Sequence, residues 1–266
     1  MEGYVYYQRS LIWGKEPSAE KRLSKTEARR LLKGSGALLL RNLYDFDCPE
    51  ETQFWHVLKE SFGGMDELTS KTRNMVRKAI SLLDVRIIDK SVLMEQGYEV
   101  YISAYESYQK KSDTPVSLEK FISALKKDQS EGHYWGCFEK ESGKLIAYAH
   151  TVIRDTVCIY SSLKAIPGYL KLHYPFYGLI FTMNEYYLDT LKLKYVSDGA
   201  RSITNHSNIQ SFLVDRFKFR KAWCRISVYY VWWLHLLVKM LFPFRGMISN
   251  VKIKAILTQE AWARGY

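Results

Sequence analysis

The chain has 266 residues, of which 47% are hydrophobic and 25% are charged. This composition excludes an intrinsically disordered chain and fits a soluble globular protein with one large domain or two modest ones. The formal net charge of +11 favours an anionic partner, and nucleic acid, CoA phosphates, a lipid pyrophosphate and an acidic bilayer all fit it.

Residues 1–50 are interpreted as a lead-in that holds one helix and one strand. Ser24 and Glu27 have the spacing of a capping box, which predicts a helix that ends by Gly34 and Gly36. The apolar run from Ala37 to Leu43 then predicts a strand.

Strands and helices alternate in the next part of the chain. Apolar residues at helical spacing, such as Leu68, Met75 and Val76, predict one helix from Asp66 to Leu83. The other elements expected here are strands at Phe54 to Lys59 and Val85 to Ile88 and helices at Ser91 to Tyr108 and Ser117 to Lys127.

A period of two residues replaces the helical period near His133, which predicts an antiparallel meander followed by helices and single strands. We therefore predict a mixed α+β, or α/β, domain with helices packed on the sheet. In chain order, the expected elements are strands at His133 to Glu139, Leu145 to Arg154 and Thr156 to Ser162, a helix at Pro175 to Leu191, a strand at Tyr195, a helix from Asn208 and a closing strand to Tyr230.

The apolar run from Val228 to Phe244 is interrupted by His235 and Lys239, so it falls short of the ~20 apolar residues that a spanning helix needs. Two interpretations of its helical part, from Trp232 to Phe242, stay open. The helix could lie at a membrane interface with Lys239 and Arg245 reaching the headgroups, or it could pack on the domain or on a dimer partner.

The four cysteines are far apart and form no Cys-x-x-Cys pair. This spacing argues against a zinc site and against a disulfide framework. It favours a reducing cytoplasm, and the first residues lack the apolar run of a signal peptide. We therefore expect a cytoplasmic protein without a metal.

Three segments carry a family resemblance: Tyr195-Val-Ser-Asp-Gly, Asn208-Ile-Gln-Ser-Phe-Leu and Phe217-Lys-Phe-Arg. Together with the order of elements from Val85 to Tyr230, they resemble the GNAT acyltransferase superfamily. The segment Phe54-Trp-His-Val-Leu-Lys and the basic run after it are similar to the Fem-type branch, in which the transferred group can be an amino acid from tRNA.

The resemblance implies a GNAT-like acyl-CoA N-acyltransferase fold, with a central, mostly antiparallel sheet flanked by helices and an N-terminal part-domain. It places the part-domain at residues 1–84, the acyltransferase core at residues 85–230, and a C-terminal amphipathic helix and tail at residues 231–266.

The resemblance also implies a donor-binding strand. In the family, the strand before the central helix splays from its neighbour and pairs with the donor arm. Tyr160, Ser161 and Ser162 occupy the matching positions. Lys164 and Gly168 would assist the donor phosphates through the following loop and helix N-terminus.

Asn208 matches the asparagine that contacts the donor arm in the family, although a simple helix cap is an equally good interpretation. The chain departs from the family in its missing glycine run, in Leu213 at a tyrosine position, and in Lys218-Phe219 at a Gly-Phe position. These departures weigh against acetyl-CoA and favour another acyl-CoA, an aminoacyl-tRNA, or no donor.

A base that deprotonates the acceptor must be a His or a carboxylate that faces the cleft. Asp198 at a strand end is the first candidate, followed by His150 on the middle meander strand and His206 in a loop. The alternatives are that Asp198-Gly199 is a turn and that His150 is a hydrogen-bonded core residue.

The basic helix residues Lys71, Arg73, Arg77 and Lys78 form either a solvated face or a contact with the phosphates of tRNA or a lipid-linked sugar. The predicted function is acyl or aminoacyl transfer from an acyl-CoA or aminoacyl-tRNA to an amine or hydroxyl of an anionic cell-envelope precursor, such as a sugar nucleotide or lipid-linked glycan. The protein would be cytoplasmic and peripheral on the inner face of the membrane. The alternatives are a non-catalytic binding protein on a degenerate GNAT scaffold and a basic nucleic-acid-binding module.

Overall fold

The computed structural model describes residues 3–107, 114–203 and 208–266. The chain forms two compact units, each assembled from separate segments. The first unit comprises Met1–Val57, Ala200–His206 and Lys221–Tyr266, and the second comprises Leu58–Gly199 and Ser207–Arg220. The domain boundaries at residues 84 and 230 stay a prediction from the sequence.

The strands are β1 (Tyr4–Tyr7), β2 (Ser10–Trp13), β3 (Leu39–Tyr44), β4 (Phe54–Lys59), β5 (Leu83–Ile88), β6 (Gly132–Glu139), β7 (Leu145–Arg154), β8 (Val157–Ala165), β9 (Tyr195–Ala200) and β10 (Arg220–Tyr230). The helices are α1 (Lys25–Lys33), α2 (Ser70–Leu82), α3 (Lys90–Val92), α4 (Tyr98–Glu106), α5 (Leu118–Lys127), α6 (Pro175–Asn184), α7 (Ile209–Phe217), α8 (Trp232–Leu241) and α9 (Val251–Ala263).

In the first unit, β1 pairs antiparallel with β2, β2 pairs parallel with β3, and β3 pairs antiparallel with β10. The β1–β2 hairpin corrects the expectation of a plain lead-in. Its two turn residues, Gln8 and Arg9, have φ of 47° and 61°, which suits the right-handed twist of a two-residue hairpin.

Polar contacts hold the start of the first unit together. The expected capping box at the start of α1 is confirmed, since the Glu27 amide donates to Ser24 Oγ at 3.2 Å and the Ser24 amide donates to Glu27 Oε2 at 2.8 Å. The buried Glu20 carboxylate accepts from the Tyr4 hydroxyl and from Asn42 Nδ2, both at 3.0 Å.

The C-terminal helices of the first unit share an apolar core. Leu234, Val238 and Phe242 pack with Leu257 of α9, so one face of α8 is buried. Asn250 is the N-cap of helix α9, and its side-chain oxygen accepts hydrogen bonds from the amides of Lys252 and Ile253. Within the described residues, none of the helices combines the length and the apolar character that crossing a bilayer requires.

The second unit contains the meander that the sequence predicts. Strands β5, β6, β7 and β8 pair antiparallel in this order, and β9 joins β8 in parallel. Helices α4 and α5 cover an apolar cluster on β6 and β7, while α6 packs against α2. This close approach uses Gly178, where an added Cβ would lie 3.4 Å from Ala79 and Val85. The predicted mixed α/β class, with a mostly antiparallel sheet flanked by helices, is confirmed.

Several predicted boundaries are wrong for local reasons. The helix expected from Asp66 begins at Ser70, because the Thr69 side chain caps it. The helices expected at Ser91 to Tyr108 and at Pro175 to Leu191 change to π-helical geometry at Leu93–Gly97 and Glu185–Thr190, and Tyr108 lies outside the described residues. The third meander strand extends to Ala165, so it includes Lys164.

Candidate active site

The second unit contains a pair of diverging strands. β8 and β9 are in register from Val157 and Tyr195 to Ile159 and Ser197. Within the described residues, no β9 pair continues this ladder, although β8 runs on to Ala165. The β8 backbone at 160–163 therefore has β7 as its strand neighbour on one side only. An extended segment of a ligand can pair with a strand edge of this kind.

A β-bulge lies at the point where the strands diverge. His150 of β7 faces Ser162, whereas the next residue, Thr151, faces Tyr160, so Ser161 is the extra residue of β8. Ser161 is exposed, and its neighbours Tyr160 and Ser162 are buried and half-buried. A bulge re-aims the strand at this point and separates the outward side chain of Ser161 from the buried one of Tyr160.

Tyr160 is anchored in the interior of the second unit. Its hydroxyl donates to Asn184 Oδ1 at 2.7 Å, and its ring lies 6.2 Å from Phe219 and 6.5 Å from Tyr187. Burial raises the pKa of Tyr160 well above its ordinary value. Its side chain therefore fixes β8 to α6, and its backbone is the part that a donor could reach.

Asp198 lies on β9 just past Ser197, the last residue of β9 that is in register with β8. Burial raises the pKa of the half-buried Asp198 carboxyl to about 7, and a hydrogen bond with the Gln210 side chain of α7 lowers it by a smaller amount. The next residue, Gly199, has φ of 81°, and its amide donates to Ser197 Oγ at 2.9 Å. The chain thus turns directly after a carboxyl group that titrates near neutral pH.

His150 belongs to a different group of side chains. Its Nε2 lies 3.3 Å from Asp128 Oδ2 and 3.3 Å from Ser130 Oγ, and its ring stacks on Tyr134 at 4.4 Å. Burial lowers the pKa of His150, while the Asp128 carboxylate opposes this effect. These contacts agree with the alternative of a hydrogen-bonded structural histidine, and a catalytic role for His150 stays a prediction.

The residues expected to assist a donor have separate positions. Lys164 is half-buried on β8 rather than in a loop. Gly168 lies in the short turn Pro167–Tyr169, where an added Cβ would meet no atom within 4 Å. Asn208 is exposed at the start of α7, and its side chain makes no capping hydrogen bond. His206 lies outside the described residues.

The structure also explains how the chain accommodates Lys218 at a position where the family has glycine. Lys218, which stands where the family has glycine, adopts φ of 60° at the C-terminal end of α7. The backbone therefore takes the left-handed conformation that glycine adopts without strain. The departure changes the residue and keeps the local path of the chain.

Sequence reasoning missed two contributors to this region. The first is Gln210, two positions after Asn208. The sequence could have indicated it, because a polar residue in the first turn of α7 can reach the preceding strand, β9. The second is Tyr187, a fully buried residue whose hydroxyl lies 2.9 Å from His133 Nδ1, 2.9 Å from Trp135 Nε1 and 2.6 Å from Thr151 Oγ1. No local pattern identifies this contact group.

Metal ligands are not clustered in the part of the chain that the structure describes, where no group of three or more His, Cys, Asp or Glu side chains could hold an ion. What the second unit offers is an open strand edge, a carboxyl group of raised pKa and polar groups at the start of α7. These are means of binding an extended donor and accepting a proton.

The antiparallel meander, the diverging β8–β9 pair and the helix after β9 define a fold of the acyltransferase type. No family model and no curated protein matches the sequence. Among solved structures, the chain is similar to FemX, with a TM-score of 0.53 and 9% identity over 74% of this chain and 73% of that one. It is also similar to L-PGS from Bacillus licheniformis, with a TM-score of 0.52 and 10% identity over 98% of this chain and 85% of that one.

At these identities the likeness concerns the fold. The Fem-type, GNAT-like fold implied by the sequence resemblance is therefore confirmed, and the assignment of a reaction rests on the site and its proposed chemistry.

Proposed function

We propose that this protein transfers an aminoacyl or acyl group from an activated ester or thioester to an amine, or to a hydroxyl, of a cell-envelope precursor. The observation that carries the proposal is Asp198, a half-buried carboxyl with a pKa of about 7 at the point where β9 leaves β8. A group with this pKa exchanges protons efficiently at neutral pH.

The proposed reaction divides the work between backbone and side chain. The donor lies along the β8 edge at Ser161 and Ser162, with Asn208, Lys164 and Gly168 near its arm and phosphates. The acceptor nitrogen attacks the donor carbonyl carbon, a C–N bond forms, and the C–O or C–S bond breaks. Asp198 accepts the proton of the acceptor, and the leaving oxygen or sulfur takes up a proton. Positioning of the two substrates supplies much of the rate.

An aminoacyl-tRNA is the donor we favour. The likeness to FemX and to L-PGS supports aminoacyl transfer in the synthesis of the cell envelope. The segment Leu163 to His173 lacks the glycine run of an acetyl-CoA site, which supports the same choice. The acceptor would be anionic, such as a sugar nucleotide or a lipid-linked glycan, in agreement with the net charge of +11.

The location we propose is the cytoplasmic face of a membrane, with contact through Trp232–Arg245. Helix α8 is buried on one side only, and its other side carries Trp232 and Met240, which are 77% and 60% exposed. Large apolar side chains exposed on one helix face, with cationic residues such as Lys239 beside them, are typical of interfacial helices.

Donor binding can be tested by unfolding the purified protein with charged tRNA, uncharged tRNA, acyl-CoA and free CoA. A donor at a hundred times its dissociation constant should add about 2.7 kcal/mol to the free energy of unfolding. Stabilisation by charged tRNA supports the proposal, and stabilisation by acyl-CoA alone would replace the favoured donor. If folded protein responds to none of them, a non-catalytic binding protein is the better description.

Asn208→Ala tests the donor site without loss of stability. Because the Asn208 side chain makes no cap, the substitution should weaken donor binding and leave the free energy of unfolding nearly unchanged. Asn250→Ala is the matched control, since it removes a cap of α9 and should cost about 1 kcal/mol without affecting the donor. Equal donor binding by wild type and Asn208→Ala would remove Asn208 from the site.

A further inference from the structure

A large groove lies in the first unit, away from the residues proposed for catalysis. Its volume is about 940 Å³. Side chains of α1 line one part of it, and the end of β10, the start of α8 and the end of α9 line the rest. Leu32, Tyr229, Tyr230 and Val231 give it an apolar lining.

The α1 wall of the groove is cationic. Arg22, Lys25, Arg29 and Lys33 line it and are all exposed. Their spacing of three and four residues puts them on one face of the helix and its N-terminal extension. Arg22 also lies over the Tyr44 ring at 5.1 Å.

The acidic residue of the lining, Glu260, already has a cationic partner. Its carboxylate lies 2.8 Å from Arg264 Nη2 and accepts from the Tyr230 hydroxyl at 2.9 Å. The cationic α1 wall therefore faces a lining that offers no uncompensated carboxylate among the described residues. An anion is the complementary occupant of such a groove.

The groove is continuous with the apolar face of α8. Trp232, Leu236, Met240 and Phe244 recur at every fourth position and are 77%, 51%, 60% and 57% exposed. The first two of these residues also line the groove. A bilayer that receives the α8 stripe would thus present its headgroups at the mouth of the groove.

We propose that this groove binds the headgroup of an anionic phospholipid while the α8 stripe enters the same bilayer. The phosphate lies against Lys25, Arg29 and Lys33, and the glycerol and upper acyl chains lie against Trp232 and the tyrosine lining. The inference rests on the membrane contact proposed for α8 and is independent of the transfer reaction. It makes membrane attachment selective for lipid charge and leaves the identity of the transferred group open.

Vesicle flotation of the full chain, with no donor or acceptor present, tests the proposal. The probes are vesicles of phosphatidylcholine alone and vesicles that also contain phosphatidylserine. Wild type should bind the anionic vesicles more tightly. The triple variant Lys25→Gln, Arg29→Gln, Lys33→Gln should lower this affinity by about tenfold or more, because each cation near an anionic surface contributes substantially to binding.

Matched variants separate the groove from general charge. Lys120→Gln combined with Lys126→Gln and Lys127→Gln removes the same charge from exposed positions of helix α5 in the second unit and should leave binding nearly unchanged. Leu236→Ser combined with Met240→Ser should weaken binding to both kinds of vesicle.

Each outcome bears on one of the two ideas. If wild type binds neutral and anionic vesicles equally, the proposal that the groove binds an anionic headgroup is wrong, while the membrane contact of α8 is retained. Equal losses of vesicle affinity in the α1 triple variant and in its control would also show that the groove is not the binding site, because net charge alone would then explain attachment. Binding to neither kind of vesicle would overturn both membrane ideas and leave the transferase proposal intact.

Discussion

Asp198→Asn should make the protein more stable at alkaline pH and have little effect at acidic pH. Asn preserves the shape of the side chain and cannot carry the charge that burial disfavours. The rise of the Asp198 pKa from 3.8 to about 7 corresponds to about 4 kcal/mol at most. Because the side chain is only half-buried, solvent screening should reduce this to about 2 kcal/mol.

The direction follows from proton binding. A carboxyl group with a raised pKa holds its proton in the folded state, so its contribution to stability is complete below pH 3.8 and is lost as the pH rises toward 7. The free energy of unfolding of the Asn variant, minus that of wild type, should therefore be near zero at pH 4 and about 2 kcal/mol at pH 8.

Urea unfolding of both proteins across this range measures the difference, with the exposed Asp215 of α7 replaced by Asn as the control. Transfer activity should be lost in Asp198→Asn while the fold is retained. The reasoning is refuted if the free energies of unfolding of Asp198→Asn and wild type differ by the same amount at pH 4 and pH 8. It is also refuted if Asp215→Asn shows the same dependence on pH as Asp198→Asn.

Three further substitutions test the fold. Lys218→Gly should stabilise the protein by about 1 kcal/mol in urea unfolding, because φ of 60° strains a residue with a Cβ, and a loss of stability would contradict this. Gly132→Ala should destabilise the protein by about 3 kcal/mol or prevent folding, because its Cβ would lie 2.0 Å from the Thr151 carbonyl oxygen, and a native circular dichroism spectrum with unchanged stability would argue otherwise. Tyr187→Phe should cost about 1–3 kcal/mol, because it leaves the buried Trp135 Nε1 without its acceptor, and calorimetry that finds equal stability would show that water replaces the hydroxyl.

Local patterns accounted for most of the second unit. β7 was predicted with its observed bounds because its apolar run begins directly after a strongly polar hairpin turn at Glu141 to Lys144. The helix bounds were less accurate. The π-helical turns at Leu93–Gly97 and Glu185–Thr190 continue the helical path and have no distinct sequence signal.

The first unit was harder to predict. The strand β1 buries Tyr4 and exposes the next three residues, so its sequence does not alternate. Helix α9 buries Gln259 together with Leu257 and exposes Val251, which hides its amphipathic pattern. Both elements are defined by contacts distant in sequence, which a local pattern does not contain.

The candidate site was predictable in position but not in chemistry. Asp198 could be selected as a carboxyl group at a strand end, but its raised pKa depends on burial, which only the folded structure supplies. The sequence could not exclude His150 as a second candidate base. The contacts that give His150 a structural role, with Asp128 and Ser130, join residues about twenty positions apart. The bulge at Ser161 depends on the register between two strands, and one strand sequence cannot specify that.

The two compact units are interleaved along the chain, which passes from one to the other four times. The second unit is complete once residue 220 has been synthesised, whereas the first needs residues from both ends of the protein. β3 pairs with β2 within the N-terminal segment, but its antiparallel partner forms only when Arg225–Tyr230 leaves the ribosome. The Trp262 ring, which lies 5.5 Å from the Phe54 ring, is synthesised later still. The β3 edge that faces β10 therefore stays unpaired until late in synthesis, so that removal of the residues after Arg220 should destabilise the first unit more than the second.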